Sequence, residues 1–178
     1  MERSGLRDKW IPFILMMAVI ALDQATKAWI VASYPKDGVF IADVFGNDLL
    51  WIIHVRNKAI AFSIGNGLPD GLRSLLFIVL PAAVLVGLVV YYFRSDEFST
   101  LQRWAVAGIV GGGVGNLIDR IFRPDGVVDF ISVKFFGIFG LSRWPTFNVA
   151  DSSVVVCGIL LFASVFFAPE RINKEGEA

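Results

Sequence analysis

Two aspartates stand in stretches that are otherwise apolar: Asp129 in GVVDFISVKF, and Asp151 in PTFNVADSSV, which runs straight into VVVCGILLFASVFFA. An ionised carboxylate is expensive at the edge of hydrocarbon unless it is paired or hydrated. Asp151 has a bland reading as a helix cap, accepting an early backbone N–H near the positive end of a helix. It also has a chemical one, as half of a catalytic pair. Asp129, flanked by Val127, Val128, Phe130 and Ile131, has no obvious local partner. Other chemistries are narrowed by composition. His54 is the only histidine, which removes a Ser-His or Cys-His system unless another base replaces it, and Cys157 is the only cysteine, which excludes an intramolecular disulfide and a Cys-based zinc site. No metal site or cofactor is expected.

Further polar groups surround the two acids in sequence or in depth. Asp23 and Lys27 are spaced i,i+4 in an apolar run, so they can neutralise one another on one helix face. Asn116, Asp119 and Arg120 end another apolar run, where Asp119 could be a solvated terminal residue and Arg120 could snorkel to headgroups. Asn148 precedes the last run. The glycines of GIVGGGVGN lack a Gly-Lys-Ser/Thr ending, so they read as a close helix contact through Gly108/Gly112 and Gly111/Gly115 rather than as a phosphate loop.

The elements that must position these groups are membrane helices. The 178 residues are 56% hydrophobic and 18% charged, with a mean hydropathy of +0.66, whereas a soluble domain carries about a quarter charged residues. Four runs reach the roughly 20 apolar residues that a hydrocarbon core requires: about 10–32, 72–93, 104–121 and 147–168. The first resembles a signal peptide, but no small-x-small site follows it, so a retained helix is expected. The chain is expected to be a single integral membrane domain with two outer segments, 33–71 and 122–146. VFIADVF, LLWIIHV, AIAFSIG and GVVDFISVKF predict strands of a small surface sheet, with Trp51 and Trp144 at the interface.

Lys and Arg counts tie at seven on each side, but Arg3, Arg7, Lys9, Arg94, Arg103, Arg171 and Lys174 crowd short segments, which favours both termini inside. The polar groups would then collect at the outer face. Sixteen basic and sixteen acidic residues cancel, so no nucleic-acid partner is indicated.

Five short motifs in order give the chain a family likeness: D-Q-x-T-K at Asp23–Lys27, an Asn-led A-F-S segment at 57–63, G-N-L-I-D-R at Gly115–Arg120, V-V-D-F at Val127–Phe130 and F-N-x-A-D-S at Phe147–Ser152. Together they resemble lipoprotein signal peptidase, the type II bacterial signal peptidase. The resemblance implies an aspartic endopeptidase of the bacterial inner membrane, with four spans, a small extracytoplasmic sheet and a periplasmic loop or helix. It implies a diacylglyceryl-prolipoprotein substrate cut on the N-terminal side of its lipidated cysteine; a monomer in contact with membrane lipid is expected. Asp129 and Asp151 match the catalytic pair. Asn57, Asn116, Arg120, Asn148 and Ala150 match residues that line or brace the site, with Asp23, Lys27 and Asp119 beside them. The chain departs from the family's usual N-T-G-A-A-F-S, reading N-K-A-I-A-F-S with Lys58 and Ala59.

Such a pair would activate water directly. Two adjacent carboxylates cannot both ionise cheaply, so one keeps a proton and the two exchange acid and base roles. A small transporter or proton-conducting protein is the rival reading. It predicts internal repeats and midplane ionisable groups, and neither is seen in the sequence.

Overall fold

The structure, a computed structural model, describes residues 6–57 and 69–166. Among the described residues, four helical stretches are long and apolar enough to cross a membrane: Leu6–Ser33, Gly71–Arg94, Thr100–Phe122 and Val149–Phe166. The first comprises α1 (Leu6–Trp10) and α2 (Phe13–Ser33), separated at Ile11–Pro12. The second comprises α3 (Asp70–Ser74), one wide π turn at Leu75–Val79, and α4 (Leu80–Arg94). The last two are α5 (Thr100–Phe122) and α6 (Val149–Phe166).

Each boundary has a local cause. α5 begins four residues before the expected Trp104 because Ser99 caps it: the Ser99 hydroxyl accepts from Gln102 N while the Gln102 side chain accepts from Ser99 N. α6 begins after the expected Phe147, whose backbone is taken by strand-like bonds with Ile131. The π turn in the second span precedes Pro81, which has no N–H and whose ring crowds the carbonyl of Phe77 four residues back. That freed carbonyl is used by the site below.

The helices pack through α5. Its glycines admit both neighbours, as their spacing suggested. A methyl at Gly111 would come within 3.0 Å of Met16 Cα on α2, and one at Gly112 would meet Ala150 O on α6. Outward faces such as Val84, Val86, Ile159 and Phe162 are exposed and apolar, as lipid-facing side chains must be.

One sheet caps this end of the bundle. β1 (Val39–Asp43), β2 (Leu50–Asn57) and β3 (Val127–Val133) form an antiparallel sheet in the order β1-β2-β3. The strands expected at VFIADVF, LLWIIHV and GVVDFISVKF are present. The one expected at AIAFSIG lies outside the described residues, as do Lys58 and Ala59. Ile30 of α2 packs with Val128 and Phe130, fixing the sheet to the first span. His54 adds a polar tie, its Nδ1 lying 2.6 Å from Tyr34 O at the end of α2. After β3 a short 3-10 turn at Ile138–Gly140 leads back to α6.

Candidate active site

Asp129 and Asp151 reach one place from opposite elements. On β2 and β3, Asn57 pairs with Val127 and Val55 with Asp129, so Asn57 and Asp129 are diagonal neighbours on one face. Asn57 Nδ2 accordingly donates to Asp129 Oδ2 at 3.0 Å. Asp151 stands at the third position of α6, where Asn148 caps the helix. Asn148 Oδ1 accepts from Asp151 N at 2.9 Å and Asp151 Oδ2 accepts from Asn148 N at 3.2 Å, a reciprocal capping box. Asp151 is therefore part of a cap through one oxygen and turns the other toward Asn116. Ser152 donates its hydroxyl to Asn148 O at 2.8 Å.

Two amides link the acids. Asn148 Nδ2 donates to Asp129 Oδ1 at 2.7 Å and to Asn116 Oδ1 at 3.0 Å, and Asn116 Nδ2 donates to Asp151 Oδ1 at 2.7 Å. Neutral donors thus hold the carboxylates. Asp129, 3% exposed, is pushed up to about 7 by burial and by the neighbouring Asp151 charge, against the lowering effect of its bonds to Asn57 and Asn148.

Beneath this layer lies a second pair of acids with a different environment. Lys27 Nζ is 2.8 Å from Asp23 Oδ2, 3.1 Å from Asp119 Oδ2 and 2.9 Å from Asn116 Oδ1. Asp119 also accepts from Val128 N and from Arg123 Nε, both at 3.1 Å. Asp23 Oδ1 accepts from Ala150 N at 3.0 Å, and Ala150 is small enough to pack on Gly115. Asp23, Lys27 and Asp119 are all completely buried. The reading of Asp119 as a solvated terminal residue is corrected: the i,i+4 partner Arg123 and the approach of β3 cover it. Asp23 and Lys27 do pair, and Lys27 additionally donates to Asn116 Oδ1.

A cavity of about 590 Å³ opens on the upper acids. Its floor holds Asn57, Asn116, Arg120, Asp129 and Asp151, and its walls include Phe135, Trp144, Phe147, Val155 and Val156. Asn148, Ala150, Asp23, Lys27 and Asp119 lie behind the floor. Arg120 is held over Phe77 at 5.4 Å and donates Nη1 to Phe77 O at 3.1 Å, the carbonyl exposed by Pro81. A polar floor with apolar walls suits an amphipathic ligand whose peptide reaches the acids.

The signal peptidase II family model matches residues 15–167. The chain belongs to that family. The lipoprotein signal peptidase of Treponema pallidum (strain Nichols) is 46% identical over 169 residues, covering 95% of this chain and 90% of the relative. That of Treponema denticola is 48% identical over 156 residues, 88% of each. A solved bacterial membrane enzyme, determined in meso at 2.3 Å resolution, superposes with a TM-score of 0.73 at 28% identity, covering 94% of this chain and 93% of that one. Four spans with a small sheet are the architecture of a membrane-helical signal peptidase II.

Some residues of this signal peptidase II site escaped sequence reasoning. Gln24 lies inside D-Q-x-T-K, yet only the fold shows its Nε2 near Asp23 Oδ2, Gly115 O and Asp119 Oδ1 at 3.0–3.1 Å. Arg143 stacks 3.7 Å from the Trp51 ring and gives Nε and Nη2 to Ser132, fastening the strand that carries Asp129. No periodicity signals such a contact between a loop and a strand. The aromatic walls were visible only as interfacial residues.

Proposed function

We propose that Asp129 and Asp151 are the water-activating acids of this chain, which removes signal peptides from diacylglyceryl-modified prolipoproteins by cutting N-terminal to the lipidated cysteine. The observation that carries the assignment is the bridge of Asn148 and Asn116 between two carboxylates on the floor of one cavity.

Their surroundings separate the roles. Asp151, which accepts from Asn116 and from the Asn148 N–H at the start of α6, is assigned the role of base. Asp129, raised to about 7, holds the shared proton near neutrality. Asp151 takes a proton from water as the oxygen attacks the scissile carbonyl carbon. Asp129 gives its proton to the carbonyl oxygen, producing a neutral tetrahedral diol. Asp151 then protonates the departing nitrogen and the C–N bond breaks. A hydroxyl proton returns to Asp129 and the new acid forms on the signal peptide. No covalent enzyme intermediate arises. Arg120, Asn57 and Asn116 face the same space and are assigned to the substrate's carbonyls. Asn148, Ala150, Asp23, Lys27 and Asp119 brace the pair from behind.

The enzyme is a multi-pass protein of the bacterial inner membrane. We assign both termini to the cytoplasm and the cavity to the outer face, on the density of basic residues in the inner segments. There, acyl chains of a substrate can remain in lipid while its peptide enters. The chain is read as one integral domain acting as a monomer on a lipidated protein, with no nucleic-acid partner. The test is cleavage of a diacylglyceryl prolipoprotein by purified Asp129→Asn and Asp151→Asn. Both should fold and lose turnover by more than about a thousandfold. Near-normal turnover by either folded variant would remove that acid from the mechanism.

A further inference from the structure

A second, smaller cavity of about 140 Å³ lies beside the first, between the sheet-side ends of the second and third spans. Arg73, Arg120 and Arg123 line it, together with Asn57, Ser74 and Phe77. No acidic side chain is among the described residues of its lining, although Asp119, next to Arg120 in sequence, pairs with Arg123 from behind it. Three guanidiniums from two helices and the turn after α5 are costly to gather by their mutual repulsion. The water-activating chemistry above uses Arg120 but leaves Arg73 and Arg123 without a task at the substrate.

Contacts with the protein orient the guanidiniums. Arg123 gives Nε to Asp119, and Arg120 gives Nη1 to the Phe77 carbonyl. Each guanidinium carries five N–H donors in a rigid fork, so donors remain for a ligand in a defined orientation. That geometry suits the planar, multidentate recognition of a phosphate. The location specifies its source. The arginines sit at helix ends, and their neighbours Leu72, Leu75, Ile121 and Phe122 are exposed apolar residues on the outside of the spans. A phosphate held here places its glycerol and acyl chains along those residues, whereas free phosphate gains nothing from them.

We infer that the Arg73–Arg120–Arg123 cavity binds the headgroup phosphate of an anionic phospholipid. Because Arg120 and Asn57 line both cavities, a bound lipid contacts the wall of the catalytic cavity without entering it. The site is independent of the peptidase assignment, since binding can be read without turnover.

The test uses full-length protein in neutral detergent, with native mass spectrometry of added phosphatidylglycerol or phosphatidylcholine. Wild-type protein should retain one phosphatidylglycerol about five- to tenfold more tightly than phosphatidylcholine. Arg73→Gln should lose that preference. Arg94→Gln removes an exposed arginine at the opposite end of the same span and should keep it. Should Arg73→Gln fail to fold, Ser74→Asp serves as well, since it sets a carboxylate against the phosphate at an exposed position. Equal retention of the two lipids by wild-type protein would overturn the inference. So would equal loss in the Arg73 and Arg94 variants, or an unchanged preference in Ser74→Asp. Inorganic phosphate at millimolar concentration should displace the lipid weakly. Complete displacement by it would assign the cavity to free phosphate and contradict the lipid.

Discussion

The two layers of buried aspartate differ in what holds them. Asp23 and Asp119 touch cations: Lys27 bridges both, and Arg123 adds a second charge to Asp119. Asp129 and Asp151 touch amides and a backbone N–H, with no cation in hydrogen-bond contact among the described bonds. The layers are joined through Asn116, which takes Lys27 on its oxygen and gives its nitrogen to Asp151. A carboxylate paired with a fixed cation serves as a structural anchor. A carboxylate held by neutral donors and crowded by a second acid can take up and release a proton. One residue type thus does two jobs a few ångströms apart, and the neighbours decide which.

Exchanging the environments breaks this comparison. The largest effect is expected from Asp129→Asn and Asp151→Asn, which should abolish prolipoprotein cleavage while leaving the fold intact. In the lower layer the opposite is expected. Lys27→Met leaves two buried acids short of their shared cation and should cost about 3–5 kcal/mol of stability, read as lost thermal stability in detergent. Activity should fall with the folded fraction.

Asn148→Ala sharpens the border between the layers. It removes the α6 cap, worth about 1 kcal/mol, and the two bonds that the Asn148 amide gives to Asp129 and Asn116. Turnover should drop by roughly a hundredfold with only a modest loss of melting temperature. A drop in stability as large as that of Lys27→Met would make Asn148 an anchor instead.

The smallest effects concern pH. Asp129 has a folded-state value near 7 against an ordinary 3.8, so the folded protein binds more protons than the unfolded chain between those values. Stability from this group is complete below about pH 4 and declines as pH rises to about 7, levelling off above it. Asp129→Asn should therefore raise the melting temperature by several degrees at pH 8 and by little at pH 4. In the wild-type enzyme kcat/KM should decline above about pH 7, as the acid loses its proton in the free enzyme.

Legibility in the sequence followed the length scale of each cause. Spans and strands were readable because hydropathy and alternation are local; their ends moved by a few residues where caps and bridges intervened, as at Ser99 and Phe147. The Gly108–Gly115 contacts followed from spacing alone. The acids were readable because apolar flanks made them conspicuous, and the order of five motifs assigned them to a family. Asp119 was ambiguous because its burial depends on β3 arriving from nine residues away, and Val128 N completes it. Arg120's anchorage required both a proline in the second span and an arginine in the third, a long-range pairing that no single window contains. The doubled role of Asp151, as cap partner and as floor of the cavity, emerged only when both of its oxygens could be followed.

The central claim is that Asp129 and Asp151 share a proton, and titrating the Asp129 carboxyl carbon by ¹³C NMR in detergent tests it most directly. In the wild-type protein Asp129 should titrate near 7, and in Asp151→Asn it should titrate lower, because the neighbouring charge is gone. A value near the ordinary 3.8 in the wild-type protein, or one unmoved by Asp151→Asn, would contradict the account.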